Sequence, residues 1–185
     1  KSVFHQIWGR LFNGETDGQN FFWRYELVNP DFTLCRSGRD IAEVLREIRG
    51  RGIAKLLKHA RRDDGGIVIH YSMSSMRAAR AEKEEWDFTR NWEAWTKLLE
   101  EGGFQFDFIA YEQVEKGMLE TLGTKVLILP RSLALSDAEV KGILEFARKG
   151  GVVLADKTPG IMDKHLKRRD RNPLEAVFQT GGGII

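Results

Sequence analysis

Four short apolar runs punctuate residues 67–156: Ile67-Val-Ile-His-Tyr71, Phe106-Asp-Phe-Ile-Ala110, Val126-Leu-Ile-Leu129 and Val152-Val-Leu-Ala155. Each has the length of a buried strand, and the stretches between them carry helical spacing. Between the first two, Phe88, Trp92, Trp95, Leu98 and Leu99 recur at helical intervals and predict a helix over 88–101, which Gly102-Gly103 stops. A short segment over 112–122 joins the second run to the third. Ser136-Asp-Ala-Glu139 then reads as a capping box, opening a helix whose buried stripe is Val140, Ile143, Leu144 and Ala147 and whose end is Gly150-Gly151.

Strands alternating with helices imply parallel βαβ units with right-handed crossovers, so the expected fold is α/β, a small doubly wound parallel sheet of flavodoxin-like type over 61–163. Residues 1–60 read differently. An aromatic run, Phe21-Phe-Trp-Arg-Tyr25, and the turn Asn29-Pro-Asp31 precede a helix over 38–49 marked by Ile41, Val44, Leu45 and Ile48. One strand and one helix make no complete core, so this unit is expected to need a partner layer. Residues 164–185 read as a basic, glycine-rich tail, with Lys164, Lys167, Arg168, Arg169 and Arg171 ahead of Gly181-Gly-Gly183. Asp163 and Asp170 dilute its field, and a solvated loop or ion pairs to a neighbouring subunit is the reading for it.

Composition narrows the partners. The 185 residues carry 29 Lys plus Arg against 27 Asp plus Glu, a formal charge of +2, which supplies no global field for nucleic acid or an anionic membrane. No apolar run approaches the length of a membrane span. The single Cys35 excludes an intrachain disulfide and favours an intracellular, cytoplasmic setting. The chain starts at Lys1 without a Met and without the marks of a signal peptide, as a piece of a longer protein would.

Doubly wound sheets bind ligands beyond the carboxyl ends of their strands, which points to Ser72–Met76, Tyr111–Gln113, Arg131–Leu133 and Asp156–Thr158 as the segments where chemistry would sit. Ser72, Ser74 and Ser75 offer hydroxyls at a helix start. Without a glycine there, turn and cap duty outweighs a phosphate nest, and no flavin, nucleotide or other cofactor is expected. A phospho-acceptor site would need acids where Tyr71-Ser72 and Pro130-Arg131 stand. An amidotransferase-type nucleophile would need a Cys, and none follows residue 35. His70 reads as a core or sheet-edge histidine, and His5, His59 and His165 show no metal-ligand spacing. Glu82, Glu84, Glu85 and Asp87 form a solvated mixed stretch with Lys83. Among them Trp86, Phe88 and Trp92 supply more aromatic surface than one buried stripe needs, which marks these three as oligomer-interface candidates.

The run 65–163 resembles the trimerisation domain of family-42 β-galactosidases. The residues that carry the resemblance are Tyr71-Ser, Trp95-Thr-Lys-Leu-Leu-Glu, Phe106-Asp-Phe-Ile, Val126-Leu-Ile-Leu-Pro, Leu133-Ala-Leu-Ser-Asp and Gly150-Gly-Val-Val-Leu-Ala-Asp156. Upstream, Trp8-Gly-Arg-Leu-Phe, Gly18-Gln-Asn-Phe-Phe-Trp-Arg24, Asn29-Pro-Asp31 and Gly52-Ile-Ala-Lys-Leu-Leu57 are similar to the last strand and helix of that family's (β/α)8 catalytic barrel and the connector leaving it. The resemblance implies a flavodoxin-like, class I glutamine amidotransferase-like domain without amidotransferase chemistry. Such a domain packs against its own copies in a homotrimer beside an upstream barrel, as an oligomerisation and scaffold region of a glycoside hydrolase in carbohydrate metabolism. It implies no catalytic residue within this chain, because the family's two catalytic glutamates stand on earlier barrel strands. It also makes Trp23, Arg24 and, by position only, Glu26 the candidates for sugar contact; packing in the barrel core or under the connector is the alternative for Trp23, and burial against another barrel residue the alternative for Arg24. The alternative is a free-standing flavodoxin-like sensor or small-molecule binding domain working through 72–75 and the strand ends.

Overall fold

The computed structural model describes residues 7–9, 11, 27–60 and 65–178. The chain divides into two units, Lys1–Arg62 and Asp63–Ile185. In the first, α1 (Arg36–Gly50) and α2 (Ile53–His59) are joined at Gly52, whose φ of 70° turns the chain between them. Val44 and Ile48 on α1 pack with Leu11, and Ile7, Trp8, Ile53 and Leu57 close around them. The Asn29-Pro-Asp31 turn forms as expected: Phe32 N–H donates to Asn29 O, and Asp31 accepts from the Thr33 backbone and hydroxyl. The aromatic run over 21–25 lies outside the described residues.

The second unit is a flavodoxin-like α/β arrangement. Its elements are β1 (Ile67–Tyr71), α3 (Met73–Ala81), α4 (Glu85–Glu101), β2 (Asp107–Ala110), α5 (Tyr111–Glu115), α6 (Met118–Thr121), β3 (Val126–Leu129), α7 (Asp137–Arg148), β4 (Val152–Ala155) and α8 (Glu175–Phe178). The sheet is wholly parallel with order β2-β1-β3-β4, so β1 and β3 are central and β2 and β4 are edges. Alternation sends Val68, Leu127 and Leu129 to one face, against Val114, Leu119, Ile143, Phe146 and Leu174. Ile69 and Ile128 take the other face, with Leu99, Trp92 and Trp95 of α4.

Several expectations change in detail. Helix α4 begins at Glu85, one turn before 88, since Glu85 and Asp87 suit its positive N-terminal end. Of the apolar residues at helical spacing, Leu98 is 62% exposed, while Leu99 beside it faces the sheet. In α7 the buried stripe also includes Phe146 and Glu139. Gly142 lets this helix approach α5, because a Cβ there would stand 2.7 Å from Val114 O. Residues 164–178 are no detached tail. Met162 pairs with Ala134 and Arg168, Arg169 binds Leu135 O and Asp137, and Leu174 is fully buried in the main core. The basic run ahead of it concealed this packing, whose apolar anchor is Leu174 with Val177 beside it.

Candidate functional site

Two places in the second unit are candidates, and they differ in kind. The first is the crevice beyond the carboxyl ends of β1 and β3, where the sheet order reverses and doubly wound folds hold ligands. Here the chain occupies its own crevice. Ser72 Oγ caps α3 by accepting from Ser75 N and donates to Ala134 O at 3.1 Å. Ser75 Oγ donates to the same carbonyl at 2.9 Å and accepts from Ala134 N at 3.0 Å. Residues 131–136 are buried throughout. The hydroxyls weighed above as a phosphate nest therefore hold a loop in place.

Beneath that loop lies a set of polar residues that reasoning from sequence missed. His70 Nδ1 is 3.2 Å from Ser132 Oγ, and His70 Nε2 is 3.1 Å from Glu139 Oε1. Hydroxyl, imidazole and carboxylate stand in the order of a nucleophile, its base and the group that orients the base. With Nε2 protonated, the ring accepts the serine hydroxyl at Nδ1. The Nε2–Oε1 contact is close but not aligned as a hydrogen bond, which leaves both atoms buried without a well-directed partner. Glu139 Oε2 accepts from Ser136 N at 2.7 Å and Ser136 Oγ caps Glu139 N, so the expected capping box fixes the carboxylate. At 0%, 1% and 1% exposure, Ser132, His70 and Glu139 offer no substrate access. The signal was present: His70 shares its strand face with Val68, and Glu139 precedes Ile143 by four residues on the buried side of α7. His70 is thus a core histidine on a central strand, not at the sheet edge.

At the end of β4, Asp156 accepts from Arg131 N at 2.7 Å, from Asn91 Nδ2 and from Trp95 Nε1 at 3.3 Å. Arg131 has φ of 38°, uncommon for a residue with a Cβ, and its guanidinium pairs with Glu84. Glu84, expected in a solvated stretch, therefore closes the loop from outside.

The second candidate is an open groove of about 870 Å³ between α3 and α4. Tyr71, Met73, Met76, Phe88 and Trp92 make it apolar, and Arg77, Arg80, Glu85 and Glu93 charge its walls. Its floor is fixed by ring contacts: Trp92 stacks on Phe108 with centroids 4.7 Å apart and meets Tyr71 edge-on at 5.6 Å. Of the three interface candidates, Phe88 is buried against its own chain, Trp92 is half-buried and Trp86 is 78% exposed.

Trp23, Arg24 and Glu26 lie outside the described residues. Among the described residues no group of three or more His, Cys, Asp or Glu is placed to hold a metal, and no helix is long and apolar enough to cross a membrane.

No protein-family model matches the chain, and no curated protein does. Among solved structures the chain is similar to part of a β-galactosidase from Bifidobacterium adolescentis, at 24% identity and a TM-score of 0.44. The match covers 56% of this chain and 44% of that one, so the chain spans less than half of that protein's length.

Proposed function

We propose that this chain is a non-catalytic oligomerisation and scaffold region of a β-galactosidase-like glycoside hydrolase acting in carbohydrate metabolism. In this reading it assembles as a homotrimer alongside an upstream catalytic barrel. The observation that carries the non-catalytic part is the filled crevice: residues 131–136, held by Ser72 and Ser75, occupy the place where a doubly wound sheet would bind a ligand. The same hydrogen bonds weigh against the free-standing sensor, whose proposed serines are already engaged. The link to a glycosidase rests on the sequence resemblance over 65–163 and on the barrel-like residues before it. Trp23, Arg24 and Glu26 then belong to the last barrel strand and contact sugar in the complete enzyme, where Trp23→Ala is expected to raise KM more than it lowers kcat.

The test pairs two measurements on the purified chain. Nitrophenyl galactoside is expected to show no turnover, because retaining hydrolysis needs two carboxyl groups about 5 to 5.5 Å apart and facing substrate. Turnover that disappears when one of the chain's own Glu or Asp residues is changed would overturn the non-catalytic reading. Light scattering is expected to give a mass above the monomer at micromolar concentration. A monomer up to about 100 μM would reject self-association.

A further inference from the structure

We infer that Phe32 is a sugar-stacking residue of the substrate site in the complete enzyme. This rests on the glycosidase reading proposed above and adds a contact residue to it. Residues 27–35 lead into the amino end of α1, and in that reading they connect the last barrel strand to the helix after it. Strand-to-helix loops of a (β/α)8 barrel stand on its carboxyl face, where the active sites of that fold lie.

Within this loop Phe32 is 90% exposed and has φ of 63°. Neither feature helps the chain to fold. A phenyl ring in water forgoes the stabilisation of burial, and a bulky side chain in the left-handed region is strained where Gly or Asn would be at ease. The surroundings nevertheless fix that conformation. Val28 and Leu34 pair as an antiparallel bridge at the neck of the loop, Cys35 N donates to Leu27 O at 3.0 Å, and Asn29 N donates to Thr33 O at 2.8 Å. Gly38, buried in the first turn of α1, lets the neck lie against the helix, since a Cβ there would collide with Leu27 O. A strained residue over-determined by its neighbours is the pattern of a ligand contact, and this one presents an aromatic ring.

The group beside the ring selects a carbohydrate. The apolar face of a pyranose packs on an aromatic face, and its hydroxyls need acceptors at the margin. Asp31 supplies them. Its carboxylate is exposed, and both bonds from Thr33 fall on Oδ1, which leaves acceptor capacity for a sugar hydroxyl. The Thr33 hydroxyl and backbone N–H also hold this carboxyl below the ordinary range, so it is an ionised acceptor at neutral pH. The same charge argues against a dry protein surface over the ring, because burying an unpaired carboxylate is costly.

The experiment uses the complete enzyme, this chain joined to its barrel, with lactose as the probe because both of its rings are sugars. Phe32→Asn removes the ring while easing the left-handed turn. It is expected to raise KM about 10-fold with kcat within about twofold, the mark of binding lost equally from substrate and transition state, and to leave Tm at or above the wild-type value. Phe32→Tyr, which restores an aromatic face, is expected to keep the wild-type KM. An unchanged KM in Phe32→Asn overturns the inference and leaves the glycosidase reading standing. A lower Tm in Phe32→Asn also overturns it, since the ring would then be covered by protein. Wild-type enzyme that does not turn over lactose overturns the glycosidase reading, and the inference falls with it.

Discussion

The crevice over β1 and β3 and the groove between α3 and α4 lie in the same unit and meet at the end of β1, where Tyr71 lines one and Ser72 closes the other. Their chemistry is opposite. The crevice is polar and filled, and its hydroxyls, imidazole and carboxylate are turned on one another. The groove is apolar and open, and its charges face outward. A fold whose usual ligand position is filled by its own loop keeps its rigid sheet and leaves only its sides for interaction. Changes in the crevice should therefore be felt as stability, and changes beside the groove should leave stability nearly untouched.

The sharpest way to break that contrast is at its most buried point. His70→Ala is expected to destabilise the chain by about 3 kcal/mol, a fall in Tm of roughly 10 °C, since it leaves Glu139 and Ser132 buried without their shared partner. Thermal unfolding followed by circular dichroism checks this, and a Tm within 2 or 3 °C of wild type would show the set to be dispensable. Next comes Ser75→Ala, expected to cost about 2 kcal/mol because it strands the buried Ala134 N–H. Gly142→Ala should cost a similar amount, about 1 to 3 kcal/mol, as its Cβ forces α7 away from Val114 O. Beside the groove the expectation reverses. Trp86→Ala should change monomer stability by less than about 0.5 kcal/mol, as an exposed side chain with little to lose. A large drop in Tm there would erase the distinction between the two regions.

The smallest expected effect is electrostatic. Backbone N–H groups of Lys167 and His165 hold the Asp163 carboxyl below the ordinary carboxylate range. A folded-state pKa below the unfolded one means that this carboxylate contributes stability above about pH 4, and that the contribution is lost as pH falls through the folded value. Asp163→Asn should therefore lower Tm at pH 7, and the gap should shrink on acidification below about pH 4. A gap that does not change with pH would mean that the turn, and not the charge, supplies the stability.

The sheet was legible because apolar runs and caps are local signals. Ile67 through Tyr71, the Ser136 and Glu139 capping box and the stop at Gly102-Gly103 each declare themselves within a few residues, and all three recur in the structure. The crevice was not legible in the same way. His70, Ser132 and Glu139 are brought together only by the parallel register of β1 and β3, and each alone resembles an ordinary core or cap residue. Helical spacing puts Phe88 on the stripe and leaves Trp86 off it, but the surplus of aromatic side chains that made both interface candidates does not say which of them its own chain covers. The role of Leu174 was hidden for a related reason: with Val177 it makes a single short turn behind a basic run, too brief for a periodicity to declare itself.

The separation of His70 from Ser132 by 62 positions also has a consequence for the nascent chain. At about 5 to 20 residues per second, β1 leaves the ribosome roughly 3 to 12 s before the loop that will cover its histidine. Within that interval, between the end of β2 at Ala110 and the start of β3 at Val126, β1, α3, α4 and β2 can form a half-sheet whose inner edge is bare, because the partner of β1 on that side, β3, has not yet followed. The half-sheet must wait with an unpaired edge and an unmatched imidazole, which makes this interval the moment when the growing chain is most exposed to pairing with a stranger.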